Sequence, residues 1–146
     1  MNRQFARSFI AAIAVGSALV FSLPTAAADA PKEKARVVLQ VSDDSPKTWN
    51  QALNVIENLQ QTFGKQNVDL KLIAFGFGIG ILKLDSVAGG RVLDATKSGA
   101  QILACEITMR RQKLTKADML PDIGYVPAGV VEIVKLQQQG WSVVRP

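Results

Sequence analysis

The 146 residues contain one cysteine, Cys105, and no histidine. One thiol without an imidazole cannot assemble a zinc, iron or copper site. Nor can it form a Ser-His or Cys-His nucleophile. Covalent chemistry therefore falls to Cys105. The apolar run Gln101 to Cys105 reads as a short strand, and Glu106 to Gln112 as a short helix. A sulfur at that junction faces unpaired backbone N–H groups and the positive end of the helix dipole, which favour thiolate, the nucleophilic form. Thr108 offers a hydroxyl three residues on, and Arg110 or Arg111 a positive charge. Glu106, Asp43 and Asp44 would act in the opposite sense if close. The competing reading makes Cys105 a small, inert core residue at a strand end.

Two other segments could join such a site. Ser42-Asp43-Asp44-Ser45 follows the first predicted strand, and its acids read either as a solvated turn or as acid/base groups. Phe75-Gly76-Phe77-Gly78-Ile79-Gly80 follows the second. Its glycine spacing departs from the dinucleotide fingerprint, and it lacks the lysine and hydroxyl of a P-loop. It reads as a strand-to-helix turn, with Phe75 and Phe77 available to wall a pocket or an oligomer contact.

The elements that must position these residues alternate. Strands are predicted at Arg36–Val41, Val68–Phe75, Gln101–Cys105, Tyr125–Val126 and Trp141–Arg145. Ser45-Pro46 opens a helix whose Trp49, Leu53, Ile56, Leu59 and Phe63 share one face, closed by Gly64. Further helices are expected over Ser86–Ser98 and from Pro127 to Gln139, the last with Val130, Val131 and Val134 inward. Thr115 to Asp118 has a capping-box pattern. Trp49 is expected to pack the first helix on the sheet, and Trp141 to close the core near its end.

Such alternation calls for an α/β fold: a flavodoxin-like, three-layer α/β/α domain around a five-stranded, mostly parallel sheet. Strand order 2-1-3-4-5 would place a site where the first and third strands part, bringing Asp43 and Asp44 to Cys105.

Residues 1–28 read as a secretory signal peptide. Arg3 and Arg7 precede the apolar run Phe9 to Phe21, Pro24 breaks it, and Ala26-Ala27-Ala28 offers a cleavage site. Cleavage after Ala28 leaves one domain over 29–146, periplasmic or secreted and without a stable membrane span; cleavage after Ala30 and an uncleaved anchor are the alternatives. Loss of Arg3 and Arg7 reduces 17 basic residues to 15 against 12 acids, a net charge of +3. These charges are scattered, with no basic stripe to recognise nucleic acid. A single cysteine in an oxidising compartment cannot close an internal disulfide.

Several segments together resemble an exported branch of the DsrE/DsrF-like sulfur-relay family. They are Val41-Ser42-Asp43-Asp44, Ala74-Phe75-Gly76 with Gly78-Ile79, Ala104-Cys105 with Thr108-Met109-Arg110, Gln112 to Thr115, and Val126 to Glu132. The resemblance implies a homo-oligomer of dimers, trimers or hexamers, with a sulfur donor or acceptor protein as partner. It also implies a cysteine, here Cys105, that carries sulfane sulfur as a persulfide without metal or organic cofactor. Asp43, Asp44, Phe75, Gly76, Gly78, Thr108 and Arg110 then surround the binding site. The chain departs from the family's Cys-Gly-Asn-Thr with Cys105-Glu106-Ile107-Thr108. The alternative expectation is a non-catalytic oligomeric module that binds a small molecule or partner segment. A nucleotide or flavin site by fold analogy finds no phosphate cradle in Ser42–Ser45.

Overall fold

The structure, a computed structural model, describes residues 33–146. The expected signal peptide and its cleavage sites lie outside the described residues.

β1 (Ala35–Val41) and β2 (Val68–Ala74) run parallel in register, from Ala35 opposite Val68 to Val41 opposite Ala74. β3 (Gln101–Cys105) pairs with β2, and the short β4 (Gly124–Val126) pairs with β3. β5 (Ser142–Val144) pairs with the opposite side of β1. The sheet is wholly parallel, with order β4-β3-β2-β1-β5.

This order corrects the expected 2-1-3-4-5. Each of the first three crossovers advances to the next strand on the same side, and the direction reverses only on the way from β4 to β5. The reversal therefore lies between β1 and β5, and β2 separates β1 from β3. Because right-handed crossovers in opposite directions cover opposite faces, the last helix stands apart from the others.

α1 (Pro46–Phe63) begins as its sequence requires. Ser45 Oγ accepts the Thr48 N–H, and Pro46 fills the first turn, where no N–H is missed. Trp49, Ala52, Leu53 and Ile56 are buried against β1 and β2, whereas Phe63 at the helix end is largely exposed. Gly64 closes α1 at φ 84°, a conformation that favours glycine. α2 (Gly89–Lys97) packs beside α1, and Arg91 clamps the two by reaching Asn50, Asn54 and Glu57. α2 is shorter than the expected Ser86–Ser98 because its first residues form turns ahead of Ala88.

The short α3 (Glu106–Arg111) follows β3, and its Met109 joins the same core as Leu39, Leu72 and Ile102. α4 (Gly129–Gln138) covers the other face, over Val38, Ile73 and Val126. Its inward residues are Gly129, Ile133 and Leu136. Val130, Val131 and Val134 point outward instead, contrary to expectation. The sequence pattern is apolar on both sides, and the glycine lets the Ile133 side approach the sheet. Trp141 is half-buried against this smaller core, with Lys71 Nζ 5.0 Å from its ring centre.

Candidate functional site around Cys105

Cys105 is the last residue of β3 and stands at the N-cap of α3. It is 4% exposed. The backbone N–H of Gly129, at the start of α4, donates to its Sγ at 3.2 Å. The thiol thus meets two helix N-termini. From α3, the amides of Ile107 and Thr108 face the sulfur without closing a capping hydrogen bond, and Ile107 N–H also donates to the Pro127 carbonyl.

The approach of α4 depends on residue type. A side chain at Gly129 would place its Cβ 3.1 Å from Ile73 Cγ2, 3.2 Å from Phe75 Cβ and 3.3 Å from Cys105 Cβ. All three contacts are tight, and none is with the flexible end of a long side chain. Glycine lets the first amide of α4 reach the sulfur.

Thr108 supplies the third support. Its side chain is buried, its Oγ1 accepts the Gly76 N–H at 3.0 Å, and its hydroxyl favours the thiolate form of Cys105. Burial by itself pushes the Cys105 thiol up. The Thr108 hydroxyl and the amides of Gly129, Thr108 and Ile107 outweigh it and bring the thiol below its ordinary value. Among the described residues no charged side chain contributes, so Arg110, Arg111, Glu106, Asp43 and Asp44 do not set the thiol as the sequence suggested.

The glycine-rich segment is a 3-10 helix over Gly76–Leu82 rather than an open turn. It joins β1 to α3. Gly78 N–H donates to the Ser42 carbonyl at 3.0 Å, and a Cβ on Gly78 would lie 2.4 Å from Val41 O. Gly76, at φ 57°, is held from α3 by Thr108 and by Gln112, whose Nε2 donates to its carbonyl at 3.0 Å.

The site residues expected from sequence therefore divide. Cys105, Thr108, Phe75 and Gly76 come together, and Gly78 anchors their segment to β1. Asp43 turns to the C-terminal end of the chain, where Arg145 Nη2 lies 3.3 Å from its Oδ2, and its carbonyl accepts the Trp49 indole N–H at 2.7 Å. Asp44 lines a separate open cleft of about 500 Å³ with Trp49, Phe77, Lys83, Asp85 and Gln112. Phe77 is 77% exposed there. Arg110 faces a further recess beside Tyr125 and Lys116. Sequence reasoning omitted Gly129 and Gln112 from the site. The available signal was a glycine at the first position of α4, directly after Pro127-Ala128, where no helix propensity favours it.

The fold is shared with solved structures. A protein of unknown function, MTH1491 from Methanobacterium thermoautotrophicum, is 28% identical with a TM-score of 0.74, covering 77% of this chain and 100% of that one. BT1422 from Bacteroides thetaiotaomicron, a conserved protein of unknown function, is 13% identical with a TM-score of 0.63, over 76% of this chain and 94% of its own. The ychN protein from E. coli is 12% identical with a TM-score of 0.61, over 78% and 99%. No family model and no curated protein matches the chain.

Proposed function

We propose that the chain is an exported, DsrE-like sulfur carrier, with Cys105 holding sulfane sulfur as a persulfide. The observation that carries this reading is the Gly129 N–H on Cys105 Sγ at 3.2 Å, which stabilises a thiolate in a chain without histidine. The thiolate attacks the outer sulfur of a donor persulfide. The new Cys105 S–S bond forms as the donor's S–S bond breaks, and the electron pair leaves with the donor thiolate. The acidic proton of the outer sulfur stays with it or passes to water. Transfer to an acceptor thiolate is the same exchange in reverse, with no net change in oxidation state and no cofactor. The partner is a protein that presents a persulfide or an acceptor thiol.

Mass spectrometry of the purified protein after exposure to a sulfane-sulfur donor tests the reading. The expected result is a gain of about 32 Da, one sulfur atom, that is absent from Cys105→Ser. An unmodified Cys105 overturns it. Export is tested on the same sample, because the reading expects a mature chain that begins at Asp29.

Two observations favour a second reading, a non-catalytic binding module: Cys105 is buried, where a relay sulfur is expected to be exposed, and the Asp44–Phe77 cleft lies elsewhere. It is open to solvent, and Cys105 does not line it. Ligand binding that persists in Cys105→Ser, without sulfur uptake by the unsubstituted protein, would select that reading.

A further inference from the structure

Gly76-Phe77-Gly78-Ile79-Gly80 alternates three glycines, and the fold accounts for two of them. Gly76 takes φ 57°, and Gly78 lies against Val41. Gly80 has neither constraint. A Cβ there would lie 3.1 Å from Cζ2 and Cη2 of Trp49 and 3.5 Å from Asp44 Oδ1. Gly80, Trp49 and Asp44 all line the open cleft of about 500 Å³. The missing side chain keeps an indole edge and a carboxylate oxygen side by side on the cleft floor, with no Cβ over them. Phe77, largely exposed, stands in the same cleft. Among the described residues Lys83 is the only cation that lines it, and its Nζ is held by Asp85 at 3.2 Å. Asp44 is exposed and has no ion-pair partner among the described residues. Two carboxylates therefore face one ammonium, and the carboxylate beside Gly80 is the free one.

We propose that this cleft binds a small organic cation, an ammonium group carried on an apolar body. The ammonium pairs with the Asp44 carboxylate. The apolar body lies against Phe77 and settles on Gly80 beside the Trp49 edge, and the Phe77 ring adds attraction for the positive charge. An anion would meet the free carboxylate, and a neutral ligand of the same shape gains no ion pair from it. The volume suits a small molecule, and the head of a single side chain from another protein would fill little of it. This ligand class rests on the reading of the cleft as a binding site and is independent of sulfur at Cys105, which does not line it.

Benzylamine, benzyl alcohol and benzoate place three charges on one body and serve as probes. Proton–nitrogen correlation NMR of the purified protein follows the indole N–H signals of Trp49, in the cleft, and Trp141, beside Lys71. Protonated benzylamine should shift the Trp49 signal saturably, with a Kd of about 1 mM or below, and leave Trp141 in place. Benzyl alcohol should bind about tenfold more weakly, and benzoate more weakly still. Asp44→Asn should weaken benzylamine about fivefold and leave benzyl alcohol unchanged. Gly80→Ala, whose methyl covers the floor, and Phe77→Ala, which removes the wall, should weaken both. Circular dichroism confirms that each variant is folded. Cys105→Ser should bind benzylamine as the unsubstituted protein does, and sulfur uptake is read separately by mass, so the two readings fail independently. No saturable shift by about 10 mM benzylamine overturns the proposal. So does equal affinity for the alcohol, or an Asp44→Asn variant that binds the amine unchanged.

Discussion

At the scale of single residues, the thiol is governed by neutral donors rather than by charge. Thr108 links the Gly76 amide to Cys105, so Thr108→Val has two separate effects. The thiol should titrate higher, toward the free-cysteine value of about 8.5, as read from alkylation rate against pH. The Gly76 amide also loses its acceptor, which should cost about 1–3 kcal/mol in denaturant unfolding. An unchanged alkylation midpoint would remove Thr108 from the site. Gly129→Ala acts on the same sulfur from α4. Its methyl would lie 3.1–3.3 Å from Ile73, Phe75 and Cys105, so these side chains or α4 must shift by a few tenths of an ångström, which loosens the contact with Sγ. The expected results are a higher thiol pKa and a loss of about 1–3 kcal/mol of stability. A fully stable variant with unaltered thiol reactivity would contradict this account of the glycine.

At the scale of elements, the glycine-rich segment separates close approach from mere flexibility. Gly78 lies against the Val41 carbonyl, with no room for a Cβ, whereas a Cβ on Gly90 in α2 would meet nothing within 4 Å. Gly78→Ala should therefore lose about 3 kcal/mol or more, because backbone on both sides must move. Gly90→Ala should gain about 0.5–1 kcal/mol from helix propensity. Thermal unfolding of the pair measures both signs, and equal effects would mean that packing at Gly78 is not the constraint. The sequence marked both positions only as glycine. Local patterning located every strand and the capped start of α1, because turns, caps and β-branched runs act over a few residues. It could not choose the inward side of α4, where Gly129, Ile133 and Leu136 compete with Val130, Val131 and Val134.

At the scale of the whole molecule, the thiol ties stability to pH. Its pKa is lower in the folded chain than the free-cysteine value of about 8.5. The folded state therefore releases the proton first on rising pH. The resulting stabilisation is complete above the unfolded value and is lost as pH falls through the folded one. Relative to Cys105→Ser, the unsubstituted protein should gain stability as the pH is raised toward 9, in parallel denaturant titrations. A difference that shrinks over that range would mean that burial outweighs the hydrogen bonds. Strand order also belongs to this scale. With β2 between β1 and β3, Asp43 and Asp44 are carried away from Cys105, and the glycine segment spans the gap in their place.

The sequence by itself determined the inventory and the class of fold. A single thiol without histidine makes Cys105 the outstanding candidate nucleophile, and alternating strand and helix signals call for a parallel sheet with helices on its faces. Those conclusions rest on residue type and short-range pattern. Tertiary structure decided which strands are neighbours, which face α4 buries and which amide reaches the sulfur. Gly129 lies 24 residues beyond Cys105, and Gly76 lies 32 residues before Thr108. Contacts across such separations arise only when crossovers set strand order and packing sets the depth of each helix, and neither leaves a local signal in the chain.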